Sequence, residues 1–269
     1  MTITATSELT DAWARWHAAR EAELATDHGW LSIIAFHWLP DTPTTLDALP
    51  GRWSADGTVA TLTATAADGF TTPGQSLAVD ETITASVPEA GSLTWVWHGE
   101  RLIELVLRGG RYAIRVRDPR GPERAAFRGI PAFDIDPSWI RPGQFTPFGE
   151  PRVIAVDTAR SDLRQQITAV GTVDVTLPDG PHTLVATAGQ QGRLNVSFTD
   201  RTSGVHTAPW RVVSTSIPTE TGFLVVDFNR AVNLPFAFTE FGTCPAPVPQ
   251  NALPVEITAG ELAPVRVTP

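Results

Sequence analysis

The residues with chemistry to offer gather late in the chain. Asp227, Asn229, Arg230 and Asn233 stand in one short stretch, Asp200 precedes them and Glu261 follows. Phe223–Asp227 reads as a strand in which Val225 and Asp227 share a face, so a carboxylate ends an apolar run. A carboxylate buried there needs donors or a cation, which Asn and Arg supply. Left unpaired, its pKa rises and it becomes a general base. Asp227 and Asp200 are therefore the acid–base candidates. His206, just beyond Asp200-Arg-Thr-Ser-Gly204, and Arg115 complete the candidate catalytic set. Asn229, Arg230, Asn233, Arg117, Glu261 and Phe236 are the candidates for holding a small-molecule ligand. The same polar residues among Pro and Gly also suit an irregular segment that satisfies its own backbone, and the sequence leaves both readings open.

Other chemistries find less support. The chain has no G-x-G-x-x-G or Walker sequence, and all of its 20 basic residues are Arg, which excludes a Schiff-base lysine and a P-loop lysine. Gly74-Gln-Ser76-Leu-Ala78 lacks the second glycine of a nucleophile elbow. The 6 His are scattered, with none in a compact metal spacing, so neither a metal nor a cofactor is expected. Cys244 is the single cysteine. It forbids an internal disulfide, and it is either packed or a nucleophile that needs a base such as His206. A net charge of −9 with arginines spread along the chain argues against nucleic acid as a partner. The longest apolar run, Trp30 to Leu39, is broken by Ser32 and His37 and falls short of the ~20 residues of a bilayer span. With no signal-like N-terminus, the expectation is a cytoplasmic protein away from the membrane, with a homodimer open.

Elements must position these residues. A helix is expected from Glu8 to Thr26, capped by Thr10, with Trp13, Trp16, Arg20 and Leu24 at helical spacing. The clearest local signal is Arg101–Arg108, Gly109-Gly110, Arg111–Asp118, two β-rich runs around a two-residue turn. Alternation sets Tyr112, Ile114 and Val116 on one face and Arg111, Ala113, Arg115 and Arg117 on the other. Pro119 to Pro151, rich in Pro, Gly and aromatics, reads as a long ordered loop or lid. Strands resume at Arg152–Asp157, Gln166–Leu177, Thr183–Ala188, Arg193–Thr199 and Phe223–Asp227. The fold class is mainly β, a barrel- or sandwich-like antiparallel scaffold with an N-terminal helix and long ordered loops. The expected organisation is a helix over 1–28, one β-rich domain over 29–262 with room for two lobes dividing near 150, and a tail over 263–269.

Asp227-Phe-Asn-Arg-Ala-Val-Asn233, Thr243-Cys-Pro-Ala-Pro247, Asn251-Ala-Leu-Pro254 and Ala259-Gly-Glu261 occur in that order. Upstream stand Phe198-Thr-Asp-Arg-Thr-Ser-Gly204, Phe127-Arg-Gly-Ile130 and Gly29-Trp-Leu-Ser32. The series resembles the signature of the DUF1684 family over roughly residues 20 to 262. That resemblance implies no particular reaction. The chain departs from the pattern at His206, where relatives place a Thr-Tyr pair, and at Pro209-Trp210, where they place glycines. It departs again at Phe236, which replaces a cysteine, and at Leu262, which replaces Lys. Any family role of that Tyr or of a cysteine pair is lost here.

Nine Trp and 12 Phe supply the lining of an aromatic pocket. The sequence points first to a cofactor-independent enzyme of lyase, isomerase or cyclase type, suited to specialised metabolism and acting on a small organic molecule. The alternative is a non-catalytic binding or accessory protein, and a hydrolase using Cys244 or Ser76 is a minor option. The segment Asp227 to Glu261 is expected to pack back over the scaffold on Phe228, Phe236, Phe238 and Phe241 and to wall the main pocket.

Overall fold

The computed structural model describes residues 2–267, with side chains from Ser7 onward; positions 268 and 269 of the expected tail lie outside the described residues. The chain opens with helix α1 (Thr2–Leu24), which begins earlier than expected, so Thr10 lies inside it instead of capping it. Beyond it the chain forms two compact units. One comprises Glu23–Phe127 with Val267; the other comprises the helix as far as Ala22 with Arg128–Arg266.

In the Glu23–Phe127 unit the strands are β1 (Ile33–Trp38), β2 (Thr44–Leu46), β3 (Leu49–Ala55), β4 (Ala60–Thr63), β5 (Phe70–Thr71), β6 (Thr82–Ala85), β7 (Ser92–His98), β8 (Arg101–Arg108) and β9 (Arg111–Arg117), followed by the short helix α2 (Pro122–Ala126). They form a five-stranded antiparallel sheet ordered β1-β9-β8-β7-β5 and a four-stranded one ordered β2-β3-β4-β6. The β8–β9 hairpin follows the sequence reading, with the return strand ending at Arg117, one residue before Asp118. Gly109 and Gly110 hold φ of 59° and 73°, and Arg108 pairs with Arg111. Two consecutive positive φ values define the primed turn whose twist matches the strands, which is why Gly is needed at both positions. The alternation also holds, with Tyr112, Ile114 and Val116 in the core. There they meet Trp53 and Leu62 of the smaller sheet. Trp53 sits edge-on to Phe70 and to Trp95, each at 5.5 Å between ring centroids. Both sheets keep open strand orders among the described residues, so this unit is sandwich-like and not a closed barrel.

The second unit is built on a seven-stranded antiparallel sheet of β10 (Ile140–Asp157), β11 (Arg164–Leu177), β12 (Gly180–Ala188), β13 (Leu194–Phe198), β14 (Arg211–Ser214), β15 (Phe223–Asp227) and β16 (Val232–Asn233), ordered β15-β10-β11-β12-β13-β14-β16. Here the expected loop between Pro119 and Pro151 is corrected, because its last part, from Ile140 on, lies within the 18-residue strand β10. Proline removes a ladder donor and reads as a strand breaker, yet it is tolerated where one side of a strand is unpaired. Pro142 pairs with β15 just before β11 joins at Gly143, and Pro147 and Pro151 lie past the end of the β15 pairing at Gln144.

The core of this unit gathers Trp139, Val173, Leu184, Phe198, Leu224 and Phe228. The C-terminal segment does fold back over the sheet. Phe228 and Phe238 are buried, while Phe236 and Phe241 are half-buried. Bridges join Thr158 to Pro245, Thr199 to Ala252 and Ala132 to Glu261. Asn251 stitches the segment down: its Oδ1 accepts from Val185 N, and its Nδ2 donates to Val185 O and Ser197 O. Gly260 holds φ +79°, and a Cβ there would lie 2.5 Å from Ala231 O and 2.8 Å from Phe228 O. No other residue fits that crossing.

Candidate functional site

Most of the expected site residues of the second unit fall into two bonded groups. In the first, Asp227 caps a 3₁₀ turn by accepting from Asn229 N at 3.1 Å and from Asn229 Nδ2 at 3.0 Å. Asn229 Nδ2 also donates to Asp136 O, and its Oδ1 accepts from Asp136 N. Arg230 pairs with Asp227 at 3.5 Å, and its guanidinium lies over Trp16, 5.1 Å from the ring centroid. Asp227 therefore fixes its own turn, and Asn229 fastens that turn to the 136 region.

The second group is centred on Arg211, which the sequence reading missed. Arg211 and Asp200 form an ion pair at 3.1 Å with both side chains at 0% exposure. Arg211 Nη1 donates to Ala259 O and Glu261 O, and its Nη2 donates to Asp200 Oδ2 and Ile257 O. Asp200 is further held by Thr202 Oγ1, Ser203 Oγ and Ile257 N. Burial pulls the Arg211 guanidinium below its usual pKa, and Asp200 beside it pushes back. Glu261 is buried too. It pairs with Arg20 of α1, and its Oε2 accepts from Asn233 N at 2.6 Å. Arg20 Nη2 also donates to Asn233 O at 2.7 Å, and Asn233 Nδ2 donates to Leu262 O. The structure thus brings Asp200, Asn233 and Glu261 together through Arg211 and Arg20. Every carboxylate in the group accepts bonds from inside the fold.

His206 and Phe236 stand apart from this network. The His206 side chain is exposed on a turn, where its backbone N donates to Thr202 O and its carbonyl accepts from Ala263 N. Phe236 stacks on Trp210 at 4.0 Å between centroids. In the other unit, Arg117 donates to Glu104 Oε2 and, through Nη1, to His28 O and Gly29 O. Arg115 lies 3.6 Å from the same Glu104 oxygen, and both guanidinium groups sit 5.1 Å from the Trp30 ring centroid. These arginines are buried around one carboxylate, which explains how a polar strand face can also be an interior one.

A cleft lies beside the Glu261 network. Its volume is about 590 Å³, and Trp13, His17 and Glu21 of α1 face Ile130, Phe133 and Asp134 among its lining residues. Helical spacing sets Trp13, His17 and Glu21 on consecutive turns of one face. The opposite wall is fixed by the C-terminal motifs. Ala132 bridges Glu261, Phe133 N donates to Gly260 O, and Leu262 N donates to Pro131 O. Two further bonds tie the helix in place, from Trp13 Nε1 to Asn229 O at 2.7 Å and from Ile130 N to Glu21 Oε1 at 2.7 Å. Asn229, Asn233 and Glu261 therefore act as brackets that set the two walls.

Within the cleft, the His17 ring stacks on Trp13 at 4.5 Å and 12°. Its Nδ1 lies 3.6 Å from Glu21 Oε1, and its Nε2 is buried with no hydrogen-bond partner among the described residues. Neither His17 nor Glu21 was singled out in sequence; the available signal was the spacing of Trp13, His17 and Glu21 on α1. The Asp227–Glu261 segment lines a smaller hollow, of about 70 Å³, through Pro245–Val248 and Asn251. Among the described residues no group of three or more His, Cys, Asp or Glu is arranged to hold a metal ion, and no helix is long and apolar enough to cross a membrane.

A seven-stranded antiparallel sheet bracketed to an N-terminal helix by its own C-terminal motifs defines the class of protein. The chain belongs to the DUF1684 family, described as a protein of unknown function, whose model matches residues 125–262. That span nearly coincides with the sheet-bearing part of the second unit, and Gly29–Ser32 lies outside it. The chain is also similar to an uncharacterized protein of Haloarcula marismortui solved by solution NMR, with 27% identity over 54% of this chain and 82% of that one and a TM-score of 0.44. No curated protein matches the chain.

Proposed function

We propose that this protein binds a small organic molecule in the cleft between α1 and residues 130–135. One observation carries the reading: a cleft of about 590 Å³, lined by Trp13, Phe133, Ile130 and Ile135, also contains a buried His17 whose Nε2 has no partner among the described residues. The volume lies in the range of small-molecule sites, and the lining combines aromatic and aliphatic side chains with the polar Thr10, His17, Glu21 and Asp134. A buried polar atom without a partner is costly, and a ligand group that satisfies it gains what the free protein forgoes. The expected residues Asp200, Asp227, Asn229, Asn233 and Glu261 serve this reading as positioning residues, because their bonds are spent on holding the walls. A cytoplasmic setting fits a chain whose single cysteine can form no internal disulfide.

A second reading, cofactor-independent acid–base catalysis of lyase or isomerase type at the same cleft, is favoured by the His17–Glu21 pair. A carboxylate beside Nδ1 orients an imidazole and leaves Nε2 to exchange a proton with a bound molecule. Ligand-observed NMR with a fragment library tests the binding reading against the Ala14→Trp variant. Ala14 is exposed on α1 and lines the cleft, so the larger ring fills the site without entering the core. Hits on the native protein should disappear in the variant. An identical hit list would reject the cleft.

A further inference from the structure

We infer that the ligand of this cleft is a small cation, an ammonium or amidinium group carried on an aromatic or apolar body. The inference rests on the reading of the cleft given above and adds the chemical class. The charged side chains of the lining are carboxylates, with the Thr10 hydroxyl beside them. Glu21 and Asp134 contribute carboxylates, and no Arg stands among the lining residues. Glu21 already receives Ile130 N on Oε1, while Asp134 is exposed at the rim and has no ion-pair partner among the described residues. His17 adds a buried ring nitrogen: Nε2 belongs to a side chain only 8% exposed, has no hydrogen-bond partner among the described residues, and accepts from an ammonium in the neutral tautomer that carries its proton on Nδ1.

Two carboxylates suit a ligand that brings donors, and an ammonium is a donor with no acceptor. The negative field of two carboxylates with no counter-charge in the lining selects the same sign. The aromatic rings of Trp13 and Phe133 are compatible with it, since a cation is drawn to a π face. A carboxylate or phosphate ligand would meet like charge and is disfavoured on that count.

Three probes of matched size separate the possibilities: phenethylammonium, 2-phenylethanol and phenylpropionate. Binding is measured by titration NMR on the native protein and on Glu21→Gln, Asp134→Asn and Ala14→Trp. Gln at 21 keeps a carbonyl for Ile130 N, and Asp134 is exposed, so both charge variants should retain the fold. The expected result is that phenethylammonium binds on the order of tenfold tighter than the alcohol, with no measurable binding of the carboxylate. Each charge variant should weaken the ammonium by about two- to fivefold, the range of a solvent-accessible ion pair. Equal binding of alcohol and ammonium, or preference for the carboxylate, with Ala14→Trp abolishing both, would overturn the cation class and leave the cleft standing. Ammonium binding that survives Ala14→Trp would overturn the cleft itself. Failure of all three probes at millimolar concentration overturns the class, while fragments sensitive to Ala14→Trp would still support the cleft.

Discussion

Replacing Arg211 by Met should be among the most damaging single changes in the second unit. The guanidinium is fully buried and bonds five acceptors: Ala259 O at 2.6 Å, Ile257 O at 3.1 Å, Glu261 O at 3.2 Å, Asp200 Oδ2 at 3.1 Å and Thr202 Oγ1 at 3.5 Å. Met fills similar space but donates to none of them. Asp200 keeps Thr202 Oγ1, Ser203 Oγ and Ile257 N, so its charge is not stripped of all partners, but its counter-ion is gone. Breaking a buried pair from one side costs about 3–5 kcal/mol. The three carbonyls left without Arg211 push toward the upper end of that range. The double variant Asp200→Asn with Arg211→Met removes both charges and should recover part of the loss, giving a coupling of at least about 1 kcal/mol. Hydrogen exchange read on peptides from β13, β14 and residues 257–261 reports the opening free energy of this unit separately from the other. A loss below about 1 kcal/mol for Arg211→Met, or strict additivity in the double variant, would refute the view that this pair anchors the C-terminal motifs.

Gly260→Ala should destabilise the second unit by about 1–3 kcal/mol, because Ala is strained at positive φ and its methyl would strike two backbone oxygens; a thermal melt within 1 °C of native, on the order of experimental error, would count against it. Asp56 is an exposed carboxylate held down to about 2 by hydrogen bonds from Thr58 Oγ1, Thr58 N and Val59 N. Its folded pKa lies below the ordinary aspartate value of 3.8, so its contribution to stability is present above that pH and is lost as pH falls toward about 2. A carboxyl-carbon NMR titration should place Asp56 near its depressed value, with Thr58→Ala moving it upward; an Asp56 midpoint near 4 in the native protein contradicts the bonding described. Arg20→Met should loosen α1 from Glu261 and raise the susceptibility of the helix to limited proteolysis, whereas an unchanged cleavage pattern would separate the helix from the motif network.

Parts of this fold were legible in sequence because the forces involved are local. The β8–β9 hairpin follows from Gly109-Gly110, and β15 follows from an apolar run ending at Asp227. Strand β10 was hidden by its three prolines, because which flank of a strand is unpaired depends on neighbours far along the chain. The candidate site was legible in residue type more than in role. Asp200, Asn233 and Glu261 do meet, but through Arg211, which sits in a strand whose buried face is decided by carbonyls at 257–261. A buried Arg reads as a surface residue until its acceptors are known. His17 belongs to the cleft because residues 130–135 lie opposite it, an arrangement that helical spacing alone could not supply. Arg115 and Arg117 read as a polar face and are buried because Glu104 on the neighbouring strand neutralises them.

The central claim is that the motif-bracketed cleft, not the C-terminal polar network, receives the ligand. Backbone amide shifts recorded with and without a bound fragment test it most directly. The account predicts the largest changes at Thr10, Trp13, His17 and Glu21 on α1 and at Ile130 to Ile135, with only small changes along 245–251. Changes concentrated at 245–251, or at Arg115, Arg117 and Trp30, with α1 silent, would contradict it.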